Sequence, residues 1–139
     1  VVTVLSTKTK GQITEAAIAL SLLRKGLTVL TPYGENQPYD LVIEESPKIF
    51  KTVQCKTGRY KNGVVEFNLY SVVRNKETKR YKKVNYSQNI DYFGVYCAEL
   101  EKCYLVPASS LPSGVGILRI EERLNNGGSP SKWAKEYEI

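Results

Sequence analysis

A chain of 139 residues with 42% hydrophobic content and a formal net charge of +6 is long enough to bury a real core and too apolar to stay disordered. One globular domain over 1–139 is expected. Histidine is absent, which excludes Ser-His-Asp hydrolases, His-ligated zinc fingers and His-based nucleases, so any catalysis falls to carboxylates, amides, lysine or tyrosine. Three cysteines without CxxC spacing argue for reduced thiols in a cytoplasmic setting rather than a disulfide framework or zinc site; no apolar run reaches membrane-span length, and the basic excess suits a polyanionic partner.

Residues 1–7 read as an extended arm. From Thr9 to Lys25 the pattern is helical, with Thr9 as cap, Gly26 as terminator and apolar side chains (Ala16 to Ala19, Leu20, Leu22, Leu23) on nearly all sides. Glu15 shares a face with Ile18, Ala19 and Leu22, so its carboxylate looks toward apolar surface, which is costly unless a cation or a lysine compensates. The plainer reading is that it favours the helix dipole from the first turn. Leu27–Leu30 is a short strand, and the turn-rich 33–38 delivers the chain to Asp40.

Residues 39–56 read as a β-hairpin turning at Ser46-Pro47. Period-2 alternation puts Ile49, Val53 and Cys55 on one face of its second strand and Phe50, Thr52, Gln54 and Lys56 on the other. Antiparallel pairing brings Asp40 near them. A carboxylate, an amide oxygen and an ammonium then converge, a set able to hold a hard divalent cation and offset negative charge at phosphorus; an ordinary polar surface hairpin is the alternative. Next, 57–63 reads as a basic turn, Val64–Leu69 as a strand, and Arg74–Lys83 as a basic insert with six positive charges and one negative, mobile without a polyanion. A polar turn at 86–90 leads to an apolar strand, Asp91–Cys97, paired through 99–102 with Tyr104–Pro107. Asp91 either caps a turn or reaches the site. Ser113–Ile120 adds an edge strand, 125–130 is a break, and Ser131–Glu138 is a terminal helix anchored by Trp133.

Pro38-Tyr39-Asp40 followed by Val53-Gln54-Cys55-Lys56 resembles the PD-(D/E)xK nuclease signature, with one residue inserted between Pro and Asp and glutamine in the Asp/Glu slot. The wider text narrows it: Lys-Gly-Gln-Ile-Thr-Glu-Ala-Ala at 10–17, Asn-Gln-Pro-Tyr-Asp-Leu at 36–41, Gln-Cys-Lys-Thr-Gly-Arg at 54–59, Asp-Tyr-Phe-Gly-Val-Tyr-Cys at 91–97 and Tyr-Leu-Val-Pro at 104–107. In that order, over roughly 8–125, these resemble the branch of bacterial group I intron-encoded homing endonucleases.

The resemblance implies an α/β fold with a restriction-endonuclease-like core, a central mixed β-sheet flanked by helices. It implies a Mg²⁺- (or Mn²⁺-) dependent endonuclease cutting double-stranded DNA as a homo-oligomer, dimer or tetramer, with no small-molecule cofactor. Asp40, the Gln54 side-chain oxygen and the Cys55 main-chain carbonyl would hold the metal, Glu15 would act directly or through a water, and Lys56 would help activate the attacking water. Lys8, Lys10, Arg59, Lys61, Arg74, Lys76, Lys79, Arg80, Lys82 and Lys83 would contact DNA. Gln54→Glu, supplying a stronger ligand, is expected to tighten metal binding. The alternatives are a Holliday-junction resolvase or nicking enzyme of the same fold, and a catalytically inactive nucleic-acid-binding module.

Overall fold

The computed structural model describes residues 4–122 and 132–139. Helix α1 (Thr7–Arg24) is capped by Ser6, whose hydroxyl accepts from the Thr9 N–H at 3.1 Å. The cap therefore lies three residues before Thr9, and Thr9 is the donor in the capping bond. Gly26, at φ +83°, releases the chain, as its sequence position suggests. Only Thr14, Ile18 and Leu22 of this helix are fully buried, on one i, i+4, i+8 line. Ile13, Leu20 and Leu23 are exposed, correcting the expectation of burial on nearly all sides: the helix has one sheet face to pack against, and no described element covers its other side.

Nine strands follow among the described residues: β1 (Thr28–Leu30), β2 (Leu41–Ser46), β3 (Ile49–Lys61), β4 (Val64–Asn68), β5 (Tyr70–Arg74), β6 (Tyr81–Asn85), β7 (Tyr92–Cys97), β8 (Lys102–Pro107) and β9 (Val115–Arg119). The main sheet runs β1-β2-β3-β4-β9, with β7 joined to β3 in parallel and β8 antiparallel to β7. It is a mixed sheet centred on β3, which at 13 residues is long enough to serve three neighbours in succession. On one face α1 packs Ile18 and Leu22 against Leu41, Ile43, Val53 and Cys103; on the other, Phe93, Val95, Tyr104 and Val106 meet Val65, Phe67 and Leu118 of the β4–β9 extension. The second layer is thus built from strands, where flanking helices were expected.

Of the segment 57–63, expected as a basic turn, residues 57–61 are instead the end of β3. The reversal is confined to Asn62-Gly63, both at positive φ (51° and 76°), the signature of a tight two-residue hairpin turn. The basic insert also differs from expectation: it is an antiparallel hairpin of β5 and β6, forming its own two-stranded sheet. Its turn is tied by Asn75, whose side-chain oxygen accepts from the N–H groups of Glu77 (2.8 Å) and Thr78 (3.1 Å). Asp91 staples the start of β7 to β3, its carboxylate accepting from the Thr52 N–H at 2.8 Å, which gives it a structural contact at this junction. Cys97 and Cys103 lie on opposite faces of the β7–β8 pair; both are free thiols.

At the C-terminus, the expected helix is a single 3₁₀ turn, Ala134–Glu136, with Trp133 bridged to Arg119 and Glu138 to Tyr104. The expected break at 125–130 lies outside the described residues. No helix among the described residues is long and apolar enough to cross a membrane.

Helix and sheet approach closely at Gly94, where an added Cβ would come within 2.9 Å of Ile18 Cγ2 and 3.0 Å of Val53 Cγ1. Both neighbours are fully buried, so Gly94→Ala should cost about 1–3 kcal/mol through overpacking, a fall in melting temperature on the order of 5 °C. Thermal denaturation checks it; an unchanged midpoint would show that α1 is free to move away.

Candidate active site

β2 begins opposite Val53, while β4 takes up pairing only at Arg59. Between them, residues 54–58 of β3 are paired with β7 alone, leaving one edge open. Asp40, just before β2, fills part of this gap: its carboxylate Oδ2 accepts from the Cys55 N–H at 2.7 Å. The N–H and C=O of one strand residue project to the same side, so the Cys55 carbonyl faces the same edge as Asp40. The hairpin reading therefore correctly brings Asp40 beside the 54–56 segment.

Gln54 and Lys56 share the face opposite α1, as alternation requires. Lys56 Nζ donates to the Tyr70 carbonyl at 2.7 Å and lies 3.4 Å from Ser71 Oγ. Gln54 Nε2 donates to the Pro38 carbonyl at 2.7 Å and to Ser71 Oγ at 3.3 Å. Pro38 O can only accept, so the amide orientation is fixed by chemistry: nitrogen toward Pro38, oxygen away. That oxygen, Oε1, is buried and has no hydrogen-bond partner among the described residues. An unsatisfied buried acceptor costs roughly 1–3 kcal/mol.

Across α1, Glu15 lines a cleft of about 360 Å³ together with Asp40, Tyr39, Gln37 and Glu35. Burial pushes the Asp40 carboxyl above its usual range, partly offset by the Cys55 N–H and the Lys56 ammonium. Burial, then the nearby Asp40 charge, raises Glu15 as well. Lys56 is shifted down by burial, with Asp40 opposing. Burial holds the Cys55 thiol neutral, leaving the main chain as its usable ligand. The ionic coupling is at a distance, because Lys102–Glu138 is the one direct ion pair among the described residues.

The other proposed contact residues divide into groups. Lys10 and Arg59 join Lys56, Tyr70 and Val72 around a second cleft of about 860 Å³. Lys8 and Lys61 are exposed outside it. Arg74, Lys76, Lys79, Arg80, Lys82 and Lys83 are all exposed on the hairpin; Arg74 lies over the Tyr81 ring (5.8 Å) and Lys83 over Tyr70 (4.5 Å). Sequence reasoning missed Ser71 and the carbonyls of Pro38 and Tyr70. A main-chain acceptor leaves no mark in composition, and Ser71 stands well beyond the motif in sequence.

Could these groups hold a hard divalent cation? The orphaned Gln54 oxygen, the remaining Asp40 oxygen and the Cys55 carbonyl are the right donor type, and Glu15 is nearby. The described residues contain no cluster of three or more Cys, Asp or Glu able to hold a metal by themselves. The donor set therefore fits such an ion but is poor in charge.

A mixed sheet with one helix packed on its face and an open strand edge is the arrangement of a restriction-endonuclease-like core. The PD-(D/E)XK endonuclease family model matches residues 5–139, and the chain belongs to that family. Among solved structures it is similar to a bacterial homing endonuclease, I-Ssp6803I, with a TM-score of 0.72 and 26% identity over 96% of this chain and 89% of that one. A comparison with curated proteins gives no match.

Two stability predictions of opposite sign follow from the site. Because burial raises Asp40 in the folded state, its contribution to stability is present below the ordinary carboxylate range and lost as pH rises through the folded-state value. Asp40→Asn retains an oxygen for the Cys55 N–H, so without metal it should melt a few degrees above the parent at about pH 8, the gap closing near about pH 3. A lower midpoint at the higher pH would refute this. Gln54→Glu should behave oppositely, melting below the parent in chelator. An oxygen replacing Nε2 would stand against the Pro38 carbonyl, acceptor to acceptor, which argues against the expected gain from a carboxylate; equal or higher melting would restore that expectation.

Proposed function

We propose that this protein is a Mg²⁺- (or Mn²⁺-) dependent endonuclease that hydrolyses phosphodiester bonds of double-stranded DNA, in the manner of an intron-encoded homing enzyme. The observation that carries the reading is the buried Gln54 oxygen, without a partner among the described residues, on the strand segment whose open edge Asp40 caps and whose Lys56 shares its face. The similar structure is that of a homing endonuclease, which supports the choice of DNA. The whole of 1–139 acts as one catalytic domain, and the β5–β6 hairpin serves as its basic grip.

Asp40, Gln54 Oε1 and the Cys55 carbonyl would hold the cation, with Glu15 acting directly or through a water. When bound, the cation supplies Lewis-acid polarisation of the scissile phosphate and a lowered pKa for attacking water. Lys56, whose ammonium burial shifts below its ordinary value, would orient the attacking water and offset charge at phosphorus. Its bonds to Tyr70 and Ser71 leave a third donor direction for the phosphate. With two carboxylates and one neutral amide, binding becomes complete when a DNA phosphate joins the shell. One site cuts one strand, so double-strand cleavage calls for a dimer or tetramer whose symmetry matches the target. Junction resolution by the same core is the rival; preference for a four-way junction over linear duplex would replace the homing assignment.

Lys56→Ala should reduce cleavage by at least roughly 100-fold and Asp40→Asn should abolish it, both with gel-shift affinity little changed. Parallel loss of binding and cutting in folded variants would make these residues part of the grip. The hairpin charges supply phosphate contacts: replacing three of Arg74, Lys76, Lys79, Arg80, Lys82 and Lys83 should lower the slope of log K against log salt by up to about 2.7, at roughly 0.9 per contact. An unchanged slope would remove the hairpin from the interface.

A further inference from the structure

We infer that Ser71 is a positioning residue that ties the basic hairpin to the catalytic centre, orienting the Gln54 amide so that its oxygen is presented to the cation while also anchoring Lys56. The inference rests on the proposed metal-dependent nuclease reading and adds to it a residue outside the motif. Ser71 Oγ lies 3.3 Å from Gln54 Nε2 and 3.4 Å from Lys56 Nζ. A hydroxyl oxygen has two lone pairs, and these two donors use both. The second Nε2 hydrogen goes to Pro38 O at 2.7 Å, so both amide hydrogens are engaged and Oε1 is left turned away, buried and unpartnered.

The Pro38 carbonyl alone could fix one hydrogen; Ser71 is what stops the amide from pivoting about that bond. Ser71 is carried by β5, which among the described strands pairs with β6 and follows β4 after Leu69, itself buried and donating its N–H to the Gly114 carbonyl. Its position is therefore set jointly by the main sheet, through Leu69, and by the hairpin that bears Arg74, Lys82 and Lys83. The neighbouring Tyr70 carbonyl holds Lys56 at 2.7 Å from the same strand. Whatever seats the hairpin on a polyanion also seats the acceptors that orient both functional side chains.

The test uses the full chain, ¹⁵N-labelled and metal-free, with Ser71→Ala and Ser71→Thr, each shown to be folded by circular dichroism. In Ser71→Ala one of the two Gln54 Nε2 protons loses its acceptor: its NMR resonance should move upfield and its exchange with water should quicken. Titration with Mn²⁺ alone should show affinity reduced about tenfold, typical of losing a group that orients a metal ligand. Ser71→Thr, which keeps the hydroxyl, should restore both. Unchanged Gln54 amide signals in Ser71→Ala, or a threonine variant that behaves like alanine, would overturn the inference. Shifted amide signals with parental Mn²⁺ affinity would overturn the presentation of the oxygen to a cation while leaving the hydroxyl–amide contact intact. If the parent itself binds no Mn²⁺, with or without an uncleavable duplex, the metal-dependent reading fails, and the amide signals still decide whether Ser71 orients Gln54.

Discussion

The bond from the Cys55 N–H to the Asp40 carboxylate, 2.7 Å long, is the contact on which the site depends. Strand β3 changes partners along its length, and where β2 has ended and β4 has not begun, its backbone would otherwise present unpaired polar groups. Such groups are rarely left unsatisfied in a folded interior. Asp40 satisfies one donor with a side chain in place of a strand. The same act carries a carboxylate to the edge, turns it toward the Cys55 carbonyl and sets it within electrostatic reach of Lys56 and Glu15. The chemistry thus occupies a defect in the sheet that the sheet itself requires.

Much of this was legible because it follows from period and punctuation. The 39–56 hairpin, the shared face of Gln54 and Lys56, the β7–β8 pair and the terminating Gly26 are all local patterns, and all are present. The misjudged segments show where local reading fails. Residues 57–61 carry Gly58 and two basic side chains and so read as a turn, yet Gly58 is there because a Cβ would come within 2.8 Å of Val65 Cγ1 and 2.9 Å of Val95 Cγ1. A glycine demanded by packing is indistinguishable in sequence from one demanded by a turn. The Asn-Gly step at 62–63, the last two residues of the expected turn, is where the chain in fact reverses. Likewise the basic insert was judged by charge, whereas Val72, Val73 and Val84 and the register of Arg74 with Tyr81 fold it.

The site also shows why its residues are poorly placed for stability. Asp40 and Glu15 are carboxylates moved away from water and toward each other, Lys56 is an ammonium in the same position, and Gln54 buries an acceptor with no donor. Each would be replaced by an apolar or neutral group if folding were the only demand. Asp40 and Glu15 line one cleft, while Gln54 and Lys56 lie on the sheet face opposite α1, Lys56 within electrostatic reach of Asp40. Carboxylates moved from water and an oxygen without a donor suit a cation, and an ammonium without a direct ion pair among the described residues suits an anion.

The hairpin fits the same logic from the substrate side. Two of its cations are held over tyrosine rings, Arg74 at 5.8 Å and Lys83 at 4.5 Å, contacts that order long side chains without neutralising them. A basic segment held as a two-stranded sheet loses less conformational entropy on meeting a polyanion than a loose loop does. Such a hairpin would keep more of its electrostatic gain as affinity for an anionic chain. Because β5 also supplies the acceptors for Lys56 and Gln54, ordering the hairpin also orders these two side chains. Leu69, buried between β4 and β5 with its N–H on the Gly114 carbonyl, joins the hairpin to the main sheet, so the two orderings are mechanically linked.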